Sequence, residues 1–277
     1  MSNSLSANHP EYVTDSTHSK WGSSGVVIRL AVLVFVLIPA VLLAGQSDKK
    51  MKRAEPRKLV YSVTSTYNIF QVDKQIGSET VTRNDYSDNT VDFQSTITLQ
   101  LPNGAGVSTK GELLLEDESY FPMGYTSVRT MKQAGTEFDN GTYIEWFANV
   151  ALMRRKTPAS EDTTHIVLPT GTAVLDVNAA HHLYQLLKWY DFETGGVQGF
   201  NVLDPTLAKL YSASLRLLAE ETITIDGNEF VASRFDFNRD KNTAKVYVDA
   251  EGRILKVDQG YMVYELADWS ESPVQKK

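Results

Sequence analysis

Residues 59–69, LVYSVTSTYNI, decide the fold because the character of the side chains alternates along them. One set of alternate positions carries the larger apolar and aromatic side chains, and the intervening set is mostly Ser, Thr and Asn. The first set is Leu59, Tyr61, Val63, Ser65, Tyr67 and Ile69. A period of two with many β-branched and aromatic residues is typical of a β-strand that buries one face. The stretch therefore predicts a long strand at the start of a sheet.

Similar alternation recurs along the rest of the folded region. Strands are predicted at 90–101, 107–116, 120–132, 142–152, 230–238, 244–249, 254–258 and 261–267. Glycine-rich or polar stretches predict the breaks between them, including a turn at 73–77 in which Gly77 takes a positive φ, and breaks at 102–106, 139–141 and 157–164. The sequence predicts a mainly β (α+β) domain over residues 59–269, built as an antiparallel meander and followed by a disordered tail at 270–277.

One soluble helix is predicted among these strands. Asp176 is a suitable N-cap for an amphipathic helix over residues 177–190, and Gly195-Gly196 ends it. The segment 207–221 fits both a helical and a strand period. We favour a strand there, because residues 222–225 continue it in β-branched side chains.

An apolar segment, GVVIRLAVLVFVLIPAVLLAG at 25–45, precedes the domain, and Arg29 is its one charged residue. Its length of about 20 residues matches a helix that crosses a bilayer core. It is predicted to be a single transmembrane anchor or an uncleaved signal, contacting the lipid bilayer, with a flexible polar tail at 1–24 on its other side.

A basic juxtamembrane linker at 46–58 follows the apolar segment. Lys49, Lys50, Lys52 and Arg53 are its candidate membrane-surface contacts. The positive-inside rule would keep the domain in the cytoplasm. Alternatively, the cluster meets anionic headgroups on whichever side it emerges.

Composition excludes several function classes. The net charge is −7, and the basic residues after position 60 are scattered among acids, so nucleic acid is not an expected partner. The chain has no cysteine, which excludes disulfides, thiolate nucleophiles and a lipidated N-terminal cysteine. Hydrophobic content of 42% is that of a globular protein with a substantial core.

No motif predicts catalysis, a metal or a cofactor. His181 and His182 are adjacent, so on a helix they point about 100° apart and do not share one ion. The carboxylates near His165 do not have the spacing of a metal site.

Gly104-Ala105-Gly106 lies between two predicted strands and no helix follows it, which indicates a hairpin and not a phosphate loop. The acidic runs Glu116-Asp117-Glu118 and Glu220-Glu221 are typical of solvated strand ends.

The order of elements in the second half resembles a known architecture. A capped helix (DVNAAHHLYQLLKWY) is followed by a glycine link and by the strands TITIDGNEFVASRFDF, AKVYVDAEGRILKV and GYMVYEL. This order resembles bacterial envelope families of unknown function related to the lipoprotein-carrier (Lol-type) half-barrel. The resemblance implies a long curved antiparallel sheet with one covering helix around an apolar cavity, on the periplasmic side of the inner membrane.

The predicted strands and helix carry many aromatic side chains. One helix is too small to cover all of the apolar surface of such a sheet, so the remaining surface forms either a filled core or a cleft. If a cleft forms, Trp146, Phe147, Leu183, Tyr184 and Leu187 are expected to border it. The expected function is non-catalytic binding of a hydrophobic or lipid-like ligand or of an envelope protein partner. The alternatives are a scaffold subunit of a membrane complex and a hydrolase of envelope polymers.

Overall fold

A computed structural model describes residues 57–176 and 178–273. The predicted polar tail at 1–24, the apolar segment at 25–45 and the basic cluster at 49–53 lie outside these residues. Within the described part, neither helix has the length and apolar character that a membrane crossing needs.

One long curved sheet dominates the described residues, and all of its neighbouring strands are antiparallel except β9 and β10, which pair in parallel. Its strands are β1 (Leu59–Gln71), β2 (Lys74–Tyr86), β3 (Thr90–Gln100), β4 (Gly106–Glu116), β5 (Pro122–Gln133), β6 (Thr136–Phe147), β7 (Val150–Lys156), β8 (Glu161–Val167), β9 (Thr172–Val174), β10 (Val197–Asp204), β11 (Lys209–Ile225), β12 (Asn228–Arg239), β13 (Asn242–Val248), β14 (Ile254–Asp258) and β15 (Val263–Pro273). A 3-10 helix (Ala180–His182) runs into α1 (Leu183–Trp189). The mainly β prediction is confirmed.

The strand order follows the chain except at one place. From edge to edge it is β8-β7-β6-β5-β4-β3-β2-β1-β15-β14-β13-β12-β11-β10-β9. The first and last strands pair at the centre, with Tyr61 opposite Pro273 and Phe70 opposite Val263. The two edge strands, β8 and β9, are joined by residues 168–171. The sheet therefore curls until both of its edges lie within a four-residue link.

Alternation along the strands places the core on the concave face, where α1 packs. Leu183, Leu186 and Leu187 of α1 join a cluster that includes Ile69, Leu115, Leu215 and Phe235. A smaller cluster of Ile225, Ala232, Tyr247 and Leu255 lies apart from it. The strand preference over 207–221 is confirmed, because β11 covers most of it.

Several predicted boundaries were wrong. The tail predicted from residue 270 is strand as far as Pro273, because it pairs with β1. Residues 139–141 lie inside β6 instead of separating two strands, since all three pair with β5 and Gly141 also pairs with β7. The break predicted at 157–164 includes the start of β8. The strands β2, β8, β9 and β10 were not predicted.

The helix is also shorter than the predicted 177–190. Asp176 makes no N-cap bond to the 3-10 helix or to α1. Its Oδ1 accepts the backbone N–H of Asn178 at 3.0 Å, and its own N–H donates to Nδ1 of His182 at 2.9 Å. These local bonds hold the chain in a turn before the helix begins.

Candidate functional site

A cavity of about 190 Å³ lies between the concave face of the first strands and the helical segment. Alternate residues of β1 line one wall, because the strand turns every second side chain inward. The lining residues are Tyr61, Val63, Ser65, Tyr67, Val81, Arg83, Phe93, His181, Tyr184, Glu251, Gly252, Arg253, Ile254, Trp269 and Glu271. The site is therefore formed by the strands β1, β2 and β3, the helical segment, the turn after β13 and the end of β15.

Aromatic rings form much of the wall. Phe93 packs against Tyr184 with ring centroids 5.5 Å apart and stacks on His181 at 6.0 Å. Tyr61 and Trp269 face them from β1 and β15. Burial, together with the carboxylate of Glu271, raises the pKa of Tyr61 to about 12, so this phenol keeps its proton at neutral pH.

The two arginines at the cavity are each paired with carboxylates. Arg83 donates from Nε and Nη2 to the two carboxylate oxygens of Asp85, at 2.8 and 2.9 Å, and from Nη1 to the Tyr184 hydroxyl at 2.6 Å. Arg253 stacks over Trp269 at 4.2 Å and bonds Asp249 at 2.5 Å and Glu251 at 3.0 Å. Both guanidinium groups are thus fixed in place and still partly exposed.

A buried polar network lies beneath His181. Glu79 is fully buried, and it accepts the backbone N–H of Ala180 at 3.0 Å while its other oxygen lies 2.5 Å from Nδ1 of His181. The neighbouring His182 is also buried. Its burial, and to a smaller extent its interaction with His181, lowers its pKa well below 6.5. The network fixes the helical segment to β2.

The predicted site residues divide among four places. Tyr184 lines the cavity. Leu183 and Leu187 are buried in the core beside it. Trp146 lies elsewhere, in a groove with Phe121, Leu168 and Pro169. Phe147 is 57% exposed at the end of β6.

Sequence reasoning missed most of the cavity. Tyr61 and Phe93 carried a usable signal, because they sit at inward positions of predicted strands. Arg83 lies in β2, which was not predicted. Trp269 lies at the predicted end of the domain, and Arg253 in a turn, so nothing in their spacing indicated a shared site.

The three histidines among the described residues lie in different surroundings. His165 is exposed on the edge strand β8, whereas His181 and His182 are buried. Among the described residues, no group of three or more His, Asp or Glu side chains is arranged to hold a metal ion.

Comparison with known proteins gives a likeness of fold. No family model matches the chain, and no curated protein matches its sequence significantly. The crystal structure of a β-barrel-like protein of the domain of unknown function DUF1849, from Brucella abortus, superposes with a TM-score of 0.56. The match covers 78% of this chain and 99% of that one, at 8% sequence identity. It supports the β-rich half-barrel, and the relation to the lipoprotein-carrier fold stays a prediction.

Proposed function

We propose that this protein is a membrane-anchored, non-catalytic binding protein whose cavity receives the apolar part of an amphipathic ligand. The observation that carries the proposal is the aromatic-walled cavity between β1, β3, β15 and α1. Concave apolar sites with a few placed polar groups are the usual form of small-molecule sites. The curved sheet and its covering helix supply that concavity.

The size of the cavity limits the ligand. Drug-sized ligands occupy pockets of about 300–1,000 Å³, whereas an apolar cavity of about 150 Å³ accepts benzene. At about 190 Å³, this cavity suits one ring or the last carbons of an acyl chain, with the remainder of the ligand outside. A polar head would then lie near the partly exposed Arg83 and Arg253.

The pairing of the two cavity arginines suits the binding of a ligand. Arg83 is paired with Asp85, and Arg253 with Asp249. An arginine keeps its proton in proteins, so neither guanidinium group can act as a general base. Both ion pairs instead shape the walls of the cavity.

Ligand carriage can be tested with a cavity-filling variant. Residues 46–277 would be purified and their bound small molecules identified by mass spectrometry. Val63→Trp places an indole in the cavity, and Val72→Trp places the same group on an exposed turn. We expect a co-purifying apolar molecule in the wild type and Val72→Trp, and its loss in Val63→Trp. Repeatedly empty wild-type preparations would contradict the proposal.

The location is a separate part of the proposal. The apolar segment at 25–45 and the envelope-type resemblance favour a domain on the periplasmic side of the inner membrane. A reporter fused after Lys277 that is active on one side of the membrane tests this directly. Activity restricted to the cytoplasm would contradict it.

A further inference from the structure

The loops at one rim of the sheet differ sharply in charge. We call this rim proximal, because β1 begins there at Leu59, β8 ends there at Val167, and β15 ends there at Pro273. Antiparallel pairing fixes which turns share the rim, and the opposite, distal rim carries the turns after β1, β5 and β10. On the proximal rim, the loops next to β4 and β13 are acidic, with Glu116-Asp117-Glu118 and with Asp249 and Glu251.

Three segments without a charged residue meet at one part of the proximal rim. They are 119–128 (SYFPMGYTSV), 146–153 (WFANVALM) and 166–175 (IVLPTGTAVL). The register places Phe147 opposite Val150 and Val150 opposite Val167. The backbone N–H of Leu168 also donates to the carbonyl of Asn149 at 2.7 Å. We call these three segments together the uncharged lobe.

Large apolar side chains are exposed on the uncharged lobe. Met123 is 47% exposed, Phe147 is 57% exposed and Val167 is 70% exposed. Phe121 stands beside them, at the groove that Trp146, Leu168 and Pro169 line. The buried Nε1 of Trp146 has no hydrogen-bond partner among the described residues. Exposed apolar side chains grouped in this way are typical of surfaces that meet a partner or a membrane.

The lobe is held rigidly by the helix. Trp189 donates from Nε1 to the carbonyl of Ser119 at 2.7 Å, and Gln185 donates from Nε2 to the carbonyl of Tyr120 at 2.7 Å. The ring of Phe121 packs against Trp189 with centroids 5.8 Å apart. A partner would therefore meet side chains that are already ordered, which reduces the entropy cost of docking.

We propose that the uncharged lobe rests on a lipid surface. Residues 46–58 join the apolar segment to β1 at this rim, and thirteen residues of extended chain span at most about 45 Å. A linker of this length is long enough for the lobe to reach the bilayer that the apolar segment is proposed to enter. Aromatic rings with neighbouring aliphatic side chains and no net charge suit the bilayer interface. This inference rests on the membrane anchorage in the proposed function.

Contact through the lobe would also orient the cavity. Glu251, Gly252 and Arg253 line the cavity and form the turn after β13, which lies on the same rim. A ligand leaving the bilayer would then meet the cavity mouth without crossing to the distal side.

The absence of cysteine in the sequence allows a direct test. Single-cysteine variants Phe147→Cys and Leu207→Cys carry the same environment-sensitive fluorophore in the full-length chain, reconstituted into phosphatidylcholine vesicles. Both positions are 57% exposed, and Leu207 lies at the distal rim. We expect the label at 147 to shift to the blue and to be quenched by lipids with brominated acyl chains, and the label at 207 to show neither change.

Each other outcome identifies what fails. Matching emission at 147 and 207, with the chain floating with the vesicles, overturns the lobe contact alone. A blue shift at 147 without bromine quenching shows that protein covers the lobe, and it too overturns the lipid contact. A chain that does not float with the vesicles overturns both this contact and the anchorage. Ligand loss in Val63→Trp tests the cavity independently of all three.

Discussion

Nδ1 of His181 lies 2.5 Å from Oε1 of Glu79, and both side chains are buried under the cavity. The second oxygen of Glu79 accepts the N–H of Ala180, so one carboxylate fixes both the start of the helical segment and the imidazole at the cavity wall. This contact joins β2 to the helix across a separation of 102 residues.

Removing this carboxylate should destabilise the fold. Glu79→Ala leaves the Ala180 N–H and the His181 imidazole without their buried acceptor, so we expect the free energy of unfolding to fall by about 3 kcal/mol. Glu79→Gln keeps an acceptor oxygen and should lose about half as much. Urea unfolding followed by tryptophan fluorescence measures both.

The matched control for Glu79 is Glu137→Ala. Glu137 forms an exposed pair with Lys132 at 3.0 Å, which is worth about 0–1 kcal/mol. A loss in Glu79→Ala as small as that in Glu137→Ala would contradict a structural role for the buried pair.

His182 should make stability depend on pH. Its pKa in the folded chain is well below 6.5, so below that pH the unfolded chain binds more protons than the folded chain. Stability therefore falls as the pH drops below about 6.5, by at most about 1.4 kcal/mol per pH unit for this group. His182→Asn should flatten the decline, because it removes the imidazole that takes up the proton. The Asn amide oxygen can still accept the Asp176 N–H, so the local structure is kept. His165→Asn, at an exposed position, should keep the wild-type slope, and equal slopes in all three proteins would refute the assignment.

Gly77 should not tolerate a side chain. A Cβ at this position would overlap the carbonyl oxygen of Thr98 on β3. We expect Gly77→Ala to cost about 2–3 kcal/mol. Gly199→Ala meets no atom within 4 Å, and by restricting the unfolded chain it should stabilise by about 0.5 kcal/mol. Thermal unfolding of the two variants with the same reporter distinguishes them; similar melting temperatures would count against a steric cause at Gly77.

The last residues of β15 should matter for stability. Residues 270–273 pair with residues 61–64 of β1. Deleting 270–277 should cost roughly 2–4 kcal/mol through lost backbone hydrogen bonds worth about 1 kcal/mol each. Deleting 274–277 leaves this pairing intact, so that chain should unfold at the wild-type urea concentration. Indistinguishable midpoints for the two truncations would show that the end of β15 contributes nothing.

Alternation predicted the strands that bury apolar side chains, and it failed where a strand faces the cavity with polar ones. β2 is the clearest case. Glu79 and Arg83 occupy inward positions at which the pattern requires apolar residues, so the segment resembled a loop. Gly77 is needed for close strand packing and not for a positive φ, which sequence spacing does not distinguish.

The cavity was less predictable than the sheet because it depends on distant register. Tyr61 and Trp269 come together because β1 and β15, from opposite ends of the domain's sequence, pair along residues 61–70 and 263–273. The predicted border at Trp146 and Phe147 placed the apolar surface at a different part of the rim. The apolar residues in the sequence correctly indicated an apolar surface on β6, but they did not indicate whether that surface faces the cavity.

The meeting of β1 with β15 has a consequence for how the chain folds. Every other ladder among the described strands joins consecutive strands, and all of these except the parallel pair of β9 and β10 can form as local hairpins. One closure over about 200 residues then unites the two meanders. Linking residue 273 to residue 59 and opening the chain between Thr170 and Gly171 would convert that closure into a local hairpin. We expect such a circular permutant to refold faster than the natural order of strands.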